Sequence, residues 1–251
     1  MSVAAETTPA ALAGLIESSL AQSLVAFDVD GVLAPLVDHA DDSALLPGTA
    51  ERLAELATLT TVGVVSGRSL ESLERLFHFP GEIYVIGSHG LEERGADATP
   101  LDDDERYTFE QLEIIATRGV RAAGDGAWLE YKPASVVLHT RQADAAIAAA
   151  AVDAVTNLAQ MIGGAQVKPG SDVVELLARN ASKGTALLGL AHRLDRSPVV
   201  YFGDDVTDEE AFRMMADDDV SVRVGAGDSV ARYRLDDPTD VAELLAILTS
   251  E

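Results

Sequence analysis

Two aspartates follow the first strongly apolar stretch of the chain and carry its clearest chemical signal. Residues 24–27 (Leu-Val-Ala-Phe) have the composition of a buried strand, and Asp28, Asp30 and Gly31 come directly after them. Because side chains alternate along an extended segment, the two carboxylates share one side. Neighbouring carboxylates repel each other, which favours a divalent cation with oxygen ligands, such as Mg²⁺. Taken alone, the pair is equally compatible with a strand that ends in an acidic turn.

Three later stretches place further reactive groups in comparable positions. Ser66 follows a β-branched stretch over residues 60–65, Lys183 opens a helical pattern, and Asp204 follows the apolar residues 199–202. Parallel strands present their carboxyl ends along one edge of a sheet, where α/β proteins bind their ligands. Each stretch alone has an ordinary structural interpretation as a turn or a helix start. Their joint occurrence predicts one site at that edge.

This combination predicts phosphoryl transfer. A phosphorus centre requires a nucleophile, hydrogen-bond donors for its oxygens, and positive charge against their negative charge. We expect Asp28 to attack and form an aspartyl-phosphate. Asp30 would protonate the leaving oxygen and then activate water.

The remaining groups would bind the phosphate and the metal ion. Ser66, with the Gly67 and Arg68 turn, is predicted to contact the substrate phosphate. Lys183 would offset negative charge and steady the nucleophile. Asp204 is predicted to complete a Mg²⁺ site with Asp28 and the backbone carbonyl of Asp30.

The order of elements predicts an α/β fold with an insertion. Residues 1–96 alternate strands and helices, which implies a Rossmann-like parallel sheet with right-handed crossovers. Residues 97–180 follow the order αββαββ, typical of a small antiparallel α+β domain. The parallel pattern returns in residues 181–251, where we expect Thr207 or Asp208 to cap the helix after Asp204.

Composition narrows the class of protein. The chain of 251 residues carries a formal charge of −24, which disfavours nucleic acid and anionic membranes as partners. It has no cysteine, which excludes disulfides and thiolate chemistry and fits a cytoplasmic protein. No apolar run approaches the roughly 20 residues that span a bilayer, and the N-terminal segment lacks the pattern of a signal peptide.

The motifs resemble a known family. DVDGV at Asp28, SGR at Ser66, Lys183 with Gly184, and GDDVTDEEAF at Gly203 are similar to the four motifs of the haloacid dehalogenase phosphatases. More narrowly, nearly the whole chain resembles the trehalose-6-phosphate phosphatases. This resemblance implies a Mg²⁺-dependent hydrolase that releases trehalose from trehalose 6-phosphate, with the inserted module as a mobile cap. A trehalose-phosphate synthase would be a possible partner.

The inserted module contains charged residues that the resemblance implies in sugar binding. Residues that project from a sheet can serve sugar hydroxyls, which both donate and accept hydrogen bonds, but an ordinary solvated sheet face explains them nearly as well. The residues implied to hold the disaccharide are Glu130, Lys132, Arg141, Lys168 and Glu175. His89 and Glu92, in the stretch GSHGLE, have no assigned role, and His78, His139 and His192 are expected to be structural.

Two alternatives remain open. A related phosphatase for sucrose phosphate or mannosyl-phosphoglycerate would share the core motifs. A catalytically silent domain that binds sugar phosphate or a synthase would be expected to have lost a core carboxylate or the lysine, and this chain retains both. Val32, where the superfamily more often has threonine, removes one hydroxyl but leaves the carboxylates intact.

Overall fold

The structure is a computed structural model, and it describes residues 4–97, 100–179 and 181–250. Within these residues the strands are β1 Ala5–Glu6, β2 Leu24–Phe27, β3 Thr61–Val65, β4 Tyr84–Gly87, β5 Glu92–Glu93, β6 Trp128–Lys132, β7 Ser135–His139, β8 Gln166–Gly170, β9 Val173–Leu177, β10 Val199–Gly203, β11 Val220–Val224 and β12 Tyr233–Leu235. The α-helices are α1 Pro9–Glu17, α2 Thr49–Ala57, α3 Leu70–Leu76, α4 Asp103–Ala123, α5 Ala145–Ala159, α6 Lys183–Arg193, α7 Val206–Met214 and α8 Pro238–Leu248.

The chain forms two compact units. The first contains the described residues up to Ala96 and those from Ser182 onward, and the second contains those from Asp97 to Ala181. The second unit has the element order αββαββ.

The first unit is built on an eight-stranded sheet with the order β1-β12-β11-β10-β2-β3-β4-β5. All neighbouring strands are parallel except β4 and β5. Successive residues of β2 belong to different cores: Val25 and Phe27 pack with α1, α2, α3 and α8, whereas Leu24 and Ala26 pack with α6 and α7. Helices on both faces explain why this strand is apolar at every position. The predicted α/β class with a parallel-sheet core is confirmed.

The position of β2 within this sheet determines where a site can form. β2 lies between β10 on one side and β3 on the other, so the chain order reverses direction at the β2–β10 pair. The Phe27 and Phe202 rings of these two strands stack with their centroids 4.8 Å apart. The crevice beyond the carboxyl ends of two such strands is the usual ligand site of open α/β sheets.

The second unit is a four-stranded antiparallel sheet with the order β6-β7-β9-β8. One face packs against α4 and α5, and its core includes Val136, Leu138, Val174 and Leu176. Helix α4 begins at Asp103, because Asp102 and Glu105 form a reciprocal capping box that satisfies the first free amides.

The sequence pattern missed three short strands of the first sheet: its two edge strands, β1 and β5, and β12, which lies beside β1. Each has only two or three residues, which is too few for alternation to be recognised. Among the described residues, no helix combines the length and the apolar character that crossing a bilayer requires.

Candidate active site

The first catalytic candidate, Asp28, is buried and paired with a lysine. It directly follows β2, and its amide donates to the carbonyl of Phe202, which fixes it beside the end of β10. Its Oδ2 accepts a hydrogen bond from Nζ of Lys183 at 2.7 Å, and its Oδ1 accepts one from the Val29 amide at 2.7 Å. Only 5% of Asp28 is exposed. Burial raises the pKa of Asp28, and the nearby ammonium opposes that rise.

Lys183 lies at the centre of an acidic cluster. It occupies the first position of α6, where Ser182 caps the helix, and it is 1% exposed. Its Nζ lies 2.7 Å from Asp28, 2.9 Å from Asp208 and 3.6 Å from Asp205. Burial alone would lower the pKa of Lys183, but these carboxylates together raise it above its ordinary value. The lysine is therefore a permanent cation in the cluster.

Asp208 is the residue that sequence reasoning underestimated. It is fully buried, and Oδ1 accepts hydrogen bonds from Lys183 and from the Tyr201 hydroxyl at 2.6 Å. Its Oδ2 accepts from the amides of Asp204 and Asp205. Asp208 thus holds the turn after β10 and the lysine at once. The signal was present in the sequence, because Asp208 lies one helical turn after Asp204, but nothing local indicates that its side chain turns inward.

The prediction that Thr207 or Asp208 is the N-cap residue of α7 is wrong, because Asp205 occupies that position. The Asp205 carboxylate accepts from the amides of Thr207 and Asp208. Asp208 takes part as the third helical residue, because its Oδ2 accepts from the Asp205 amide and completes a capping box. The pKa of Asp205 is about 2: burial alone would raise it, and Lys183 and the cap hydrogen bonds lower it.

Asp204 lies against the turn that follows β2. Gly31 has a left-handed φ of 78°, and a Cβ at that position would lie 2.1 Å from Oδ2 of Asp204. Glycine therefore lets the carboxylate approach the backbone next to Asp30. Burial, with Asp208 and Asp205 nearby, raises the pKa of Asp204 to about 7.

Asp30 is bound by an arginine. Nε and Nη2 of Arg68 donate to its two oxygens at 2.5 and 2.7 Å, and the Ser43 hydroxyl donates to Oδ1 at 2.8 Å. The Arg68 guanidinium also lies 5.5 Å from the centre of the Phe77 ring. The expected acid and the expected phosphate ligand are thus paired with each other here.

The turn after β3 contributes polar groups to one wall of the site. Ser66 is buried, and its Oγ accepts from the Arg68 amide at 3.2 Å. A Cβ at Gly67 would lie 2.7 Å from Cε1 of His89, so the imidazole packs directly on that glycine. His89 has a left-handed φ of 56°, which is strained for a residue with a side chain.

These groups line one open cavity of about 430 Å³ in the first unit. Its walls include all the predicted core residues and His89. The structure therefore brings together Asp28, Asp30, Ser66, Gly67, Arg68, Lys183 and Asp204.

Four of the five predicted sugar-binding residues lie on one face of the sheet in the second unit. The register places Glu130, Val137, Glu175 and Lys168 in one row across the four strands, and Lys132 follows Glu130 on the same face. Three contacts of these residues lie within the second unit. Nζ of Lys132 lies 3.3 Å from Oε1 of Glu175, which also accepts from Ser135 at 2.5 Å, and Lys168 donates to the Ala181 carbonyl.

Arg141 differs from the other four. It follows the end of β7, its side chain is 58% exposed, and its Nε lies 3.7 Å from Oδ2 of Asp172. Arg141 therefore lies outside the row that contains Glu130, Glu175 and Lys168.

The fold matches solved structures over its full length. The C-terminal domain of the C. albicans trehalose-6-phosphate phosphatase has a TM-score of 0.75 at 20% identity, covering 99% of this chain and 98% of that chain. A Candida albicans trehalose synthase regulatory protein, also represented by its C-terminal domain, has a TM-score of 0.69 at 14% identity, covering all of both chains. These matches show that the chain has the fold of these two proteins.

Sequence comparison narrows the class. The family model described as trehalose-phosphatase matches residues 26–239, so the chain belongs to the trehalose-phosphatase family. The trehalose-phosphate phosphatase of Mycobacterium tuberculosis (strain ATCC 25618 / H37Rv) is 33% identical over 245 residues, which covers 92% of this chain and 62% of that protein. The chain thus spans less than two thirds of the length of this curated relative.

Proposed function

We propose that this chain hydrolyses trehalose 6-phosphate to trehalose and phosphate through a covalent intermediate on Asp28. The observation that carries the proposal is the buried Asp28–Lys183–Asp208 cluster beside the Ser66 turn, at the point where the strand order reverses. The Candida albicans trehalose synthase regulatory protein shares this fold, and the alternative for this chain is a catalytically silent domain. It would have no need of a buried ammonium on a carboxylate that faces an open cavity.

Two hydrogen bonds, from Lys183 and from the Val29 amide, fix the orientation of the Asp28 carboxylate. The Asp28 carboxylate attacks phosphorus, the bond from phosphorus to the sugar oxygen breaks, and a proton from Asp30 passes to that oxygen. Asp30 then takes a proton from the water that attacks the phosphoryl group on Asp28, which releases phosphate and restores the carboxylate.

The ion pair between Arg68 and Asp30 sets a condition for these reaction steps. Both oxygens of Asp30 accept hydrogen bonds from the Arg68 guanidinium, so neither is free to reach the leaving oxygen of the substrate. The incoming phosphate offers Arg68 a second anion, so we propose that substrate binding draws the guanidinium from Asp30. Ser66 and the amides of its turn then contact the phosphate oxygens.

The residues present fit a Mg²⁺ ion. Asp28, Asp205 and Asp208 have oxygens within 4.8 Å of one another, but the Lys183 ammonium already bonds to this trio. Because Gly31 has no side chain, the Asp204 carboxylate lies against the turn that contains Asp30. We therefore propose Asp28, Asp204 and the Asp30 backbone carbonyl as the Mg²⁺ ligands instead. When bound, the ion would offset negative charge on the phosphate.

Sugar recognition is assigned to the charged face of the second unit, which we propose acts as the cap. Glu130, Lys132, Lys168 and Glu175 offer donors and acceptors in one row, as sugar hydroxyls require. Arg141 would contribute from the end of its strand. A cytoplasmic location and a trehalose-phosphate synthase as partner stay predictions of the sequence.

Phosphate release from a panel of sugar phosphates, with and without Mg²⁺, tests the substrate and the metal. We expect Mg²⁺-dependent release with a strong preference for trehalose 6-phosphate over sucrose phosphate and mannosyl-phosphoglycerate. Equal or faster turnover of another substrate would keep the mechanism and reject the substrate. No release from any of them would favour the silent binding domain.

Asp28→Asn tests the nucleophile, because the amide keeps the shape of the side chain and removes its charge. We expect no turnover, with the fold retained by circular dichroism. Asp38→Asn makes the same chemical change on an exposed residue and should act like the wild type. Substantial activity of Asp28→Asn would refute the assignment.

A further inference from the structure

Two stacked rings adjoin the row of proposed sugar-binding residues. Trp128 of β6 and His139 of β7 are directly opposite each other in the sheet. Their ring centroids lie 3.9 Å apart, and the ring planes differ by 2°. The pair lies on the same face as Glu130, because Trp128 and Glu130 are two residues apart on one strand.

His139 connects this stack to Glu130. Its Nε2 lies 2.9 Å from Oε2 of Glu130, a hydrogen bond in which the ring donates and the carboxylate accepts. Within the described residues, no donor is recorded on the other oxygen, Oε1. One oxygen is therefore held in place while the second can accept from a ligand hydroxyl.

The arrangement restricts the torsions of each member in turn. The stack on Trp128 fixes the plane of the imidazole, and the imidazole fixes the carboxylate of a side chain that otherwise rotates freely. A ligand that meets an already ordered side chain loses less conformational entropy on binding. Trp128 itself is 49% exposed, so its burial contributes little to the core of this unit.

We propose that Trp128 and His139 are positioning residues that hold Glu130 for the sugar hydroxyls of the substrate. This inference rests on the proposed function only in that Glu130 contacts the sugar. It assigns a role to His139, which the sequence suggested was structural, and to Trp128, which the sequence did not single out.

Kinetics with two substrates separate this role from a structural one. p-Nitrophenyl phosphate has no sugar, so the ratio of kcat/KM for trehalose 6-phosphate to kcat/KM for p-nitrophenyl phosphate reports sugar recognition. We expect Trp128→Leu and His139→Leu to lower this ratio about tenfold, chiefly through KM for the sugar phosphate. Trp128→Phe keeps a ring and His139→Gln keeps a donor, so both should recover most of the ratio. Tyr131→Leu, a change on the opposite face of β6, serves as the matched control.

Fluorescence gives an independent reading, because Trp128 is the single tryptophan of the chain. The imidazole stacked on Trp128 is part of the environment of the indole, so His139→Leu should change the emission of the protein. Trehalose added to the wild type should change the emission in a saturable way, and His139→Leu should require about tenfold more trehalose for the same change.

The proposal would be overturned if His139→Leu left the ratio of the two kcat/KM values unchanged, or if trehalose did not change the tryptophan emission of the wild type. An equal loss in His139→Gln and His139→Leu would also overturn it, because the hydrogen bond would then be irrelevant. Should Trp128→Leu fail to fold, the His139 variants and the titration still decide. If the wild type does not hydrolyse trehalose 6-phosphate, the proposed function is wrong, and the trehalose titration still tests this inference separately.

Discussion

Gly31→Ala is the sharpest test of the metal-binding geometry, because glycine at this position serves two separable purposes. Its left-handed φ of 78° suits a residue without a side chain, and its α-carbon leaves room for the Asp204 carboxylate. A Cβ would lie 2.1 Å from Oδ2 and 2.4 Å from Cγ of Asp204, whereas real Cβ contacts essentially never fall under 3.0 Å. The carboxylate must therefore move by roughly 1 Å, a misplacement that can lower a catalytic rate about 10²-fold.

The backbone effect can be measured separately. An alanine in the left-handed region costs about 1–2 kcal/mol in folding stability. Gly48, which precedes α2, has a φ of 83° and no heavy atom within 4 Å of a Cβ placed there. Gly48→Ala therefore carries the same backbone strain without the steric contact, and it serves as the matched control.

The assay is phosphate release from trehalose 6-phosphate as a function of Mg²⁺ concentration, together with thermal unfolding. Both variants should lower Tm by roughly 2–4 °C per kcal/mol of strain. Only Gly31→Ala should lower kcat about 10²-fold and raise the Mg²⁺ concentration required for half-maximal activity. If Gly31→Ala and Gly48→Ala have the same activity, Asp204 does not act where we place it.

Two further substitutions test the charges. Lys183→Met leaves Asp28 and Asp208 buried without their ammonium. We expect the free energy of unfolding, measured in urea, to fall by about 3–5 kcal/mol and the turnover to fall by at least about 10²-fold. Near-normal turnover would contradict the charge-offsetting role of Lys183. Glu105, whose pKa the Arg179 hydrogen bond lowers to about 2, contributes stability that is present above its unfolded pKa and lost as pH falls towards 2. Glu105→Gln should therefore lower stability by about 1 kcal/mol at pH 7 and progressively less below pH 4.5, in urea unfolding at several pH values; a pH-independent difference would refute this.

The sequence predicted the parts of the fold and site that depend on local pattern. The apolar runs that end on Asp28, Ser66 and Asp204 are long enough to identify as strands, and parallel topology brings their ends together. The prediction that Lys183 reaches Asp28 needed only this topology, although 155 residues separate the two in the chain.

Contacts set by side-chain direction could not be predicted in this way. Asp208 lies in an acidic helix start that any surface helix could have, and only the packed structure shows it turned inward to Tyr201 and Lys183. The pair of Arg68 with Asp30 is equally hidden, since the chain contains 42 acidic residues and no local rule selects one of them. The stack of Trp128 on His139 requires the exact strand register, which alternation alone leaves open.

The charge balance of the cavity explains why its parts must act together. Asp28, Asp205 and Asp208 share the single ammonium of Lys183, and Asp30 occupies the guanidinium of Arg68. A phosphate that enters this cavity therefore meets excess negative charge unless further positive charge becomes available. Under the proposed mechanism, a divalent cation held near Asp204 would supply part of it, and Arg68 released from Asp30 would supply the rest. That same release would free the oxygens of Asp30 to contact the leaving group, so phosphate binding and the access of Asp30 to the substrate would follow from one exchange of partners.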